Sequence, residues 1–366
     1  MNIVRGVFRQ GKHFIPVLAL VIVLFVYFSI AQDNFFTRGN LVNMLTASSV
    51  LFIAAMGMTF VLIGGGIDLS QSAIVAVSGI LLAKLLDAGV PGGVVVIVVI
   101  LFAAALGGVI NGLLIGLLNL QFFVVTLGSL IALTGAVLLW SQTQTFSVAD
   151  PVLSKLAVSN LAGIPTPIWI MAATFAVALY IQKRTYFGRD IFAVGGSLQA
   201  ARLSGIRTSR TIVGIWALSG AAAGLASLLA VGRIGAASPV VDTNLLLMAA
   251  AAVLVGGTSL HGGAGGVGGT VCGVLFFAIM QNGLSISGVP GYWQQIATGV
   301  ILVSAAAGEQ VNVRRLSAAT RRIVRRFSQD PQRVSEEQVR EDFEIHDEQT
   351  SSTAVLQLER KPPRDR

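Results

Sequence analysis

The chain has 366 residues, 54% of them hydrophobic and only 11% charged, with a mean hydropathy of +0.79 and a net charge of +8. Soluble domains carry about 25% charged residues, so an ordinary soluble fold is excluded and a membrane protein is the economical reading. The single cysteine, Cys272, rules out an intrachain disulfide, and the basic excess suits membrane orientation rather than nucleic acid, which is not expected as a partner.

A spanning helix needs about 20 mostly apolar residues. In chain order, spans are expected near 14–31, 47–66, 72–87, 92–118, 122–140, 166–182, 211–231, 245–260, 265–283 and 292–307. The first has a long apolar run and no small-residue cleavage site, so it is expected to stay as a helix. Short basic loops orient such a bundle. Arg5, Arg9 and Lys12 precede the first span; Lys183, Arg184, Arg189, Arg202, Arg207 and Arg210 follow the sixth; Arg314 and Arg315 follow the tenth. Placing all three segments in the cytoplasm requires an even number of spans between them, and six then four meets that. The expected fold is an all-α membrane protein of about ten transmembrane helices, N-in and C-in. Its parts are a cytoplasmic N-terminus (1–13), a transmembrane domain (14–308) and a charged cytoplasmic tail (309–366).

In the tail, RRLSAATRRIVRRF (314–327) spaces Leu316, Ala319, Ile323 and Phe327 by three or four residues. That pattern suits a basic amphipathic helix, lying on anionic lipid or simply solvated. From Asp330 the sequence turns acidic and is expected to be disordered.

Many glycines recur every fourth residue: Gly108, Gly112 and Gly116; Gly220 and Gly224; Gly265, Gly269 and Gly273. Small residues at that spacing let helix backbones approach closely in a bilayer. GAGGVG (263–268) matches G-x-G-x-x-G, but it lies between spans rather than after a strand, so it is no dinucleotide site. The sequence holds no phosphate loop, no His/Cys cluster of metal spacing and no nucleophile beside a base. No catalytic residue, metal or bound cofactor is expected. VLIGGGIDLS (61–70) and VLVGGTSLHGG (253–263) echo each other, an apolar run ending in Gly-Gly, as duplicated transporter halves do.

Asp68 is the lone charge between two apolar runs. A carboxylate at mid-bilayer costs about 2.5–3.5 kcal/mol on insertion scales, so it needs a purpose. It can cap the next helix through D-L-S-Q-S, line a transport path, or carry protons. The expected topology puts it at the cytoplasmic end of the second span. In the basic loop, Ser197 can cap a short helix through Ala200, Ala201 and Leu203 that Gly205 ends.

These motifs together resemble the permease subunits of ribose-type, monosaccharide ABC importers. GMTFVLIGGGIDLS (57–70) resembles the family's GMT…GGIDLS signature, and FFVVTLGSLIALTGAVLL (122–139) its F-V-TLG segment. YFGRDIFAVGGSLQAARLSGI (186–206) is similar to its FGR…AARLSGI loop, AAAAVLVGGTSLHGG (249–263) to its VLGGTSL stretch, and NGLSISGVPGYWQQIATGVIL (282–302) to its NGL…YWQ segment. Gln71 stands where the family has Val, Ser197-Leu198 replaces Asn-Glu, the 262–269 glycines replace a Gly-Arg-Gly-Thr pattern, and the tail lies outside the likeness.

The resemblance implies a multi-pass protein of a bacterial inner membrane that pairs with a second permease copy, identical or related. It implies a cytoplasmic ATPase subunit that uses ATP and Mg, and an extracytoplasmic binding protein that delivers the sugar. By the same likeness, Gly188, Arg189, Gly195, Gly196, Ala201, Arg202 and Gly205 form the ATPase-coupling segment, while Gly65, Gly66, Asp68 and Ser70 lie at the cytoplasmic mouth. Asn111, Thr126, Asn282, Trp293 and Gln294 are polar groups embedded in spans, and either line the sugar path or stitch helices together. A nucleoside, polyol or branched-chain amino acid is the alternative cargo. A proton-coupled secondary transporter using Asp68 is the alternative class.

Overall fold

The structure, a computed structural model, describes residues 15–307. The N-terminal segment 1–13 and the tail with its expected amphipathic helix (314–327) lie outside the described residues.

The described chain is helical, and a helix stands in each of the ten expected places. In order these are α1 (Ile15–Ala31), α2 (Arg38–Ala47), α3 (Ser49–Ile63), α4 (Gln71–Asp87), α5 (Gly92–Gly116), α6 (Phe122–Ser141), α7 (Pro151–Ala157), α8 (Thr166–Arg184), α9 (Tyr186–Gly196), α10 (Leu198–Leu203), α11 (Thr208–Ile234), α12 (Thr243–Val255), α13 (Val267–Ile286) and α14 (291–307). Four of them, α5, α6, α11 and α13, are long and apolar enough to cross a membrane alone. The expected second span, 47–66, is occupied by α3, and α2 leads into it with a change of direction of 44°. The bend falls at consecutive serines. Ser48 Oγ donates to Leu45 O (2.9 Å) and Ser49 Oγ to Thr46 O (2.8 Å), and such back-bonding hydroxyls bend helices.

Local chemistry sets the helix ends. Asp150 accepts from the N–H groups of Val152 and Leu153, with Pro151 opening α7; Asp242 does the same for α12. The short loop helix is present as α10: Ser197 Oγ accepts from Ala200 N (3.3 Å), and the chain leaves the helix at Gly205 (φ +81°). A second helix, α9, precedes it and breaks what reads in sequence as a short apolar link. At the far end of the bundle, Phe146–Ser147 pairs antiparallel with Ala236–Ala237, and Asn160–Leu161 with Ile164–Pro165.

The outer faces of α5 and α6 are apolar and exposed, as Ile97, Leu101, Ile131 and Leu139 show; those faces suit lipid. Inside, helices meet through glycine. A Cβ on Gly220 or Gly224 would collide with the backbone of α5, and one on Gly108 or Gly112 with α11. Gly269 and Gly273 bring α13 against the backbone of α12 in the same way. Close approach without a hydrophobic drive is how bilayer helices associate.

The two echoing sequences fold alike. After α3, Gly64 N bonds Phe60 O, Gly65 N bonds Leu62 O and Gly66 N bonds Val61 O; after α12, Gly256 N bonds Ala252 O, Gly257 N bonds Leu254 O and Thr258 N bonds Val253 O. The pivotal residues, Gly65 (φ +84°) and Gly257 (φ +85°), share a left-handed conformation that favours glycine.

Gly220→Leu is expected to force α5 and α11 apart at a cost of about 1–3 kcal/mol or more. It should lower the melting temperature of the detergent-solubilised chain, whereas Gly128→Leu, with open space around it, should leave it unchanged.

Candidate functional site

Asp68 lies in the loop between α3 and α4 and is fully buried. Its Oδ1 accepts from Ser70 N (3.1 Å) and Ser70 Oγ (2.6 Å). Its Oδ2 accepts from Ser219 Oγ (2.7 Å). The first of these bonds closes an Asx turn ahead of α4, whose N-cap, Ser70, has no side-chain cap bond. Asn111 Nδ2 then donates to Ser70 Oγ (2.7 Å), and Ser129 Oγ donates to Asn111 Oδ1 (2.6 Å). Gln71 Nε2 donates to Ala54 O (3.0 Å) and Ser219 Oγ (3.3 Å), and Thr126 Oγ1 reaches Ile67 O (3.4 Å). One polar knot thus ties α3, α4, α5, α6 and α11.

Asn111 reaches the knot from a π-helical segment, Leu106–Gly112, inside α5. Such segments insert a residue into the helix and re-aim the side chains that follow. Ser219 sits eleven residues into α11, about 16 Å along its axis. Asp68 and Ser70 are therefore buried against a mid-helix group of α11.

Gly65 and Gly66, by contrast, line a cavity of about 430 Å³ at the end of the bundle that carries the basic loop, together with Gly195, Gly196 and Asn119. Here three glycine turns converge. Gly263 N donates to Ile63 O (2.8 Å), and a Cβ on Gly195 would strike Ile63 O and Gly263 N. So α9 rests directly on the end of α3 and on the loop after α12 at Gly263. Gly188 packs on the backbone of α8 at Ile181 and Gln182, Ala201 is buried, and Arg189 covers the Tyr186 ring (4.4 Å to the centroid). Arg202 Nη2 donates to Asn119 Oδ1 (2.6 Å) and Nε to Thr208 Oγ1 (3.2 Å). That pair joins α10 to the α5–α6 connection. Tyr186 and Leu203 are left exposed on the same surface, 80% and 84%.

A larger cavity, about 770 Å³, opens at the opposite end. Asn282 and Gln294 line it. Asn282 and Asn40 exchange two amide hydrogen bonds (2.8 and 2.9 Å), joining α13 to α2. Trp293 is more than half exposed and does not line the cavity. The five polar residues expected along a path therefore divide: Asn111 and Thr126 in the knot, Asn282 and Gln294 at the cavity, Trp293 on the surface.

Residues 40–306 match a family of transporter membrane components, described as "Branched-chain amino acid transport system / permease component". The chain belongs to this permease family. The permease is similar to the ribose import permease protein of Haemophilus influenzae, with 36% identity over 84% of this chain and 98% of the relative. It is similar to the D-allose transport system permease protein of Escherichia coli K12 (33%; 82% of this chain, 90% of the relative) and to the L-arabinose ABC transporter permease protein of Azospirillum brasilense (29%; 80% and 86%). No solved structure gives a significant match. The permease is a multi-pass protein of the bacterial inner membrane.

Three residues of the site escape sequence reasoning: Ser219, Ser129 and Asn119. A serine in an apolar helix commonly bonds its own backbone, so nothing local distinguishes Ser219 from the others. Asn119 carries one signal, an amide in a short interhelical link where φ is positive (+53°).

Asp68→Ala should remove one acceptor group from three donors and destabilise the bundle by about 2–4 kcal/mol. Asp68→Asn keeps an oxygen for Ser70 and should melt near the wild-type temperature.

Proposed function

We propose that the chain is the membrane subunit of an ATP-driven importer, through which a monosaccharide of pentose or hexose size crosses the membrane. The observation that carries this reading is the set of relatives: permeases named for ribose, allose and arabinose match this chain over about four-fifths of its length or more. The branched-chain amino acid of the family description is the second reading. The chemistry of the larger cavity favours the sugar. A zwitterion needs a cation and an anion facing it, and the lining instead offers hydroxyls and carboxamides. Its one acid, Asp242, is committed to the N–H groups of Asn244 and Leu245. A polyol or nucleoside would meet the same lining.

In this reading the ten helical segments cross N-in and C-in, with the loop 183–210 in the cytoplasm and the larger cavity facing outward. An exported sugar-binding protein docks over that cavity. A second permease copy, identical or related, completes the membrane part. Two cytoplasmic ATPase subunits bind ATP and Mg; this chain binds neither. They push on α9 and α10, where exposed Tyr186 and Leu203 and the basic side chains offer a docking surface.

The route inward is continuous. Movement of α10 pulls on Asn119 through Arg202, and hence on the link between α5 and α6. Those helices carry Asn111 and Ser129, which hold Ser70 and so Asp68. Asp68 acts here as a latch that positions helices. Proton carriage suits it poorly, because it lines neither cavity.

The test is reconstitution of the permease with its ATPase and binding protein in proteoliposomes. Sugar uptake should require ATP and survive a protonophore; uptake that collapses with the protonophore overturns the reading. Arg202→Glu reverses the charge at the coupling contact and should leave ATP hydrolysis running while uptake falls at least tenfold. Asp68→Asn should show uptake with the wild-type pH profile; a steep new pH dependence would return proton carriage to Asp68.

A further inference from the structure

The floor of the larger cavity holds two hydroxyls that the fold does not use. Ser72, in the first turn of α4, and Ser227, on α11, are 2% and 0% exposed, and neither Oγ hydrogen-bonds any described residue. Hydroxyls in helices can bond the carbonyl four residues back, and Thr59, Thr134 and Thr298 do so here. A buried hydroxyl without a partner carries an uncompensated desolvation penalty. Both serines line the cavity, and they face it from two different helices. Gly79 lets α4 approach α11 closely beside Ser227, since a Cβ there would stand 3.3 Å from Ser227 Oγ and 3.2 Å from Val231. Ser78 Oγ is equally buried and unpartnered but does not line the cavity.

We propose that this floor is a solute-binding site within a single protomer, in which the Oγ atoms of Ser72 and Ser227 hydrogen-bond the hydroxyls of a neutral monosaccharide or polyol; the site rests on the transport reading above. A serine hydroxyl both donates and accepts, as a sugar hydroxyl does. Val75 and Ala76 beside Ser72 supply apolar surface for the C–H face of a ring. The cavity has the size of ordinary small-molecule pockets, about 300–1,000 Å³. The site also borders the latch. Ser72 follows Gln71 in the chain, and Gln71 Nε2 touches the Ser219 hydroxyl that holds Asp68. A solute on this floor sits next to the groups that tie α4 to α11.

Cysteine accessibility tests this directly, because the chain has one cysteine to remove. In a Cys272→Ala background, Ser72→Cys, Ser227→Cys and Ser78→Cys are placed in the assembled complex in right-side-out vesicles. They are then treated with an anionic, membrane-impermeant thiol reagent, with D-ribose, D-allose or L-arabinose present at millimolar concentration or absent. The first two cysteines should react at least tenfold faster than the one at 78, and at least one sugar should slow them fivefold or more. Equal rates at all three positions, or rates that no sugar alters, overturn the site. Uptake measured in the same vesicles separates the failures: transport without protection removes this site alone, and neither transport nor protection removes the transport reading as well. The double variant Ser72→Ala/Ser227→Ala should lower uptake about tenfold, the scale of one lost hydrogen bond, at an unchanged melting temperature. Wild-type uptake by that variant overturns the proposal.

Discussion

A carboxylate inside a layer of apolar helices has to be satisfied without water, and much of this bundle is arranged to do so. Asp68 meets that demand with three hydrogen bonds, two from Ser70 and one from Ser219. The hydroxyl distances of 2.6 and 2.7 Å lie toward the short end of the range for such bonds. Each donor is itself held. Asn111 reaches Ser70 only because α5 widens into a π turn, and Gln71 reaches Ser219 only because α4 and α11 pack closely. The constraint spreads from one side chain to five helices. Networks of this type specify an arrangement more sharply than apolar packing does.

Glycine makes the geometry possible. In a bilayer the surroundings are as apolar as the side chains, so helices gain from backbone proximity and from hydrogen bonds. The glycines of α5 and α11 and of α12 and α13 provide the first, and they leave the polar side chains near enough for the second. At the basic end, glycine has another task. The end of α3 and the loop after α12, at Gly263, meet beneath Gly195, so a loop helix rests on both.

In the importer reading proposed above, the two cavities and the knot between them form a closed passage. The larger cavity stops at Ser72 and Ser227, the smaller at Gly65 and Gly66, and the Asp68 knot fills the distance between. Opening it requires α4, α5 and α11 to part. Arg202 and Asn119 connect the loop helix to that junction without passing through the solute cavity. In that reading, force and cargo approach the knot from opposite ends.

Composition and periodicity alone determined that the chain is a membrane protein of many helices, because apolar runs of spanning length admit no other solution. They located the long apolar helices and the short helix α10, with its cap at Ser197 and its stop at Gly205, and the packing role of the spaced glycines, all of which depend on near neighbours in sequence; they did not locate α2, α7 or α9. They singled out Asp68, because a lone charge in an apolar run is conspicuous. They left its partner unnamed, since Ser219 lies 151 residues away and looks like any other small residue in a helix. The tertiary structure decided that Asp68 is buried against Ser219, that Asn111 and Thr126 belong with it while Asn282 and Gln294 line a cavity, and that α2 and α3 bend apart. Those outcomes follow from which helix faces meet and how closely, and helix faces are matched by packing across the bundle rather than by spacing along the chain.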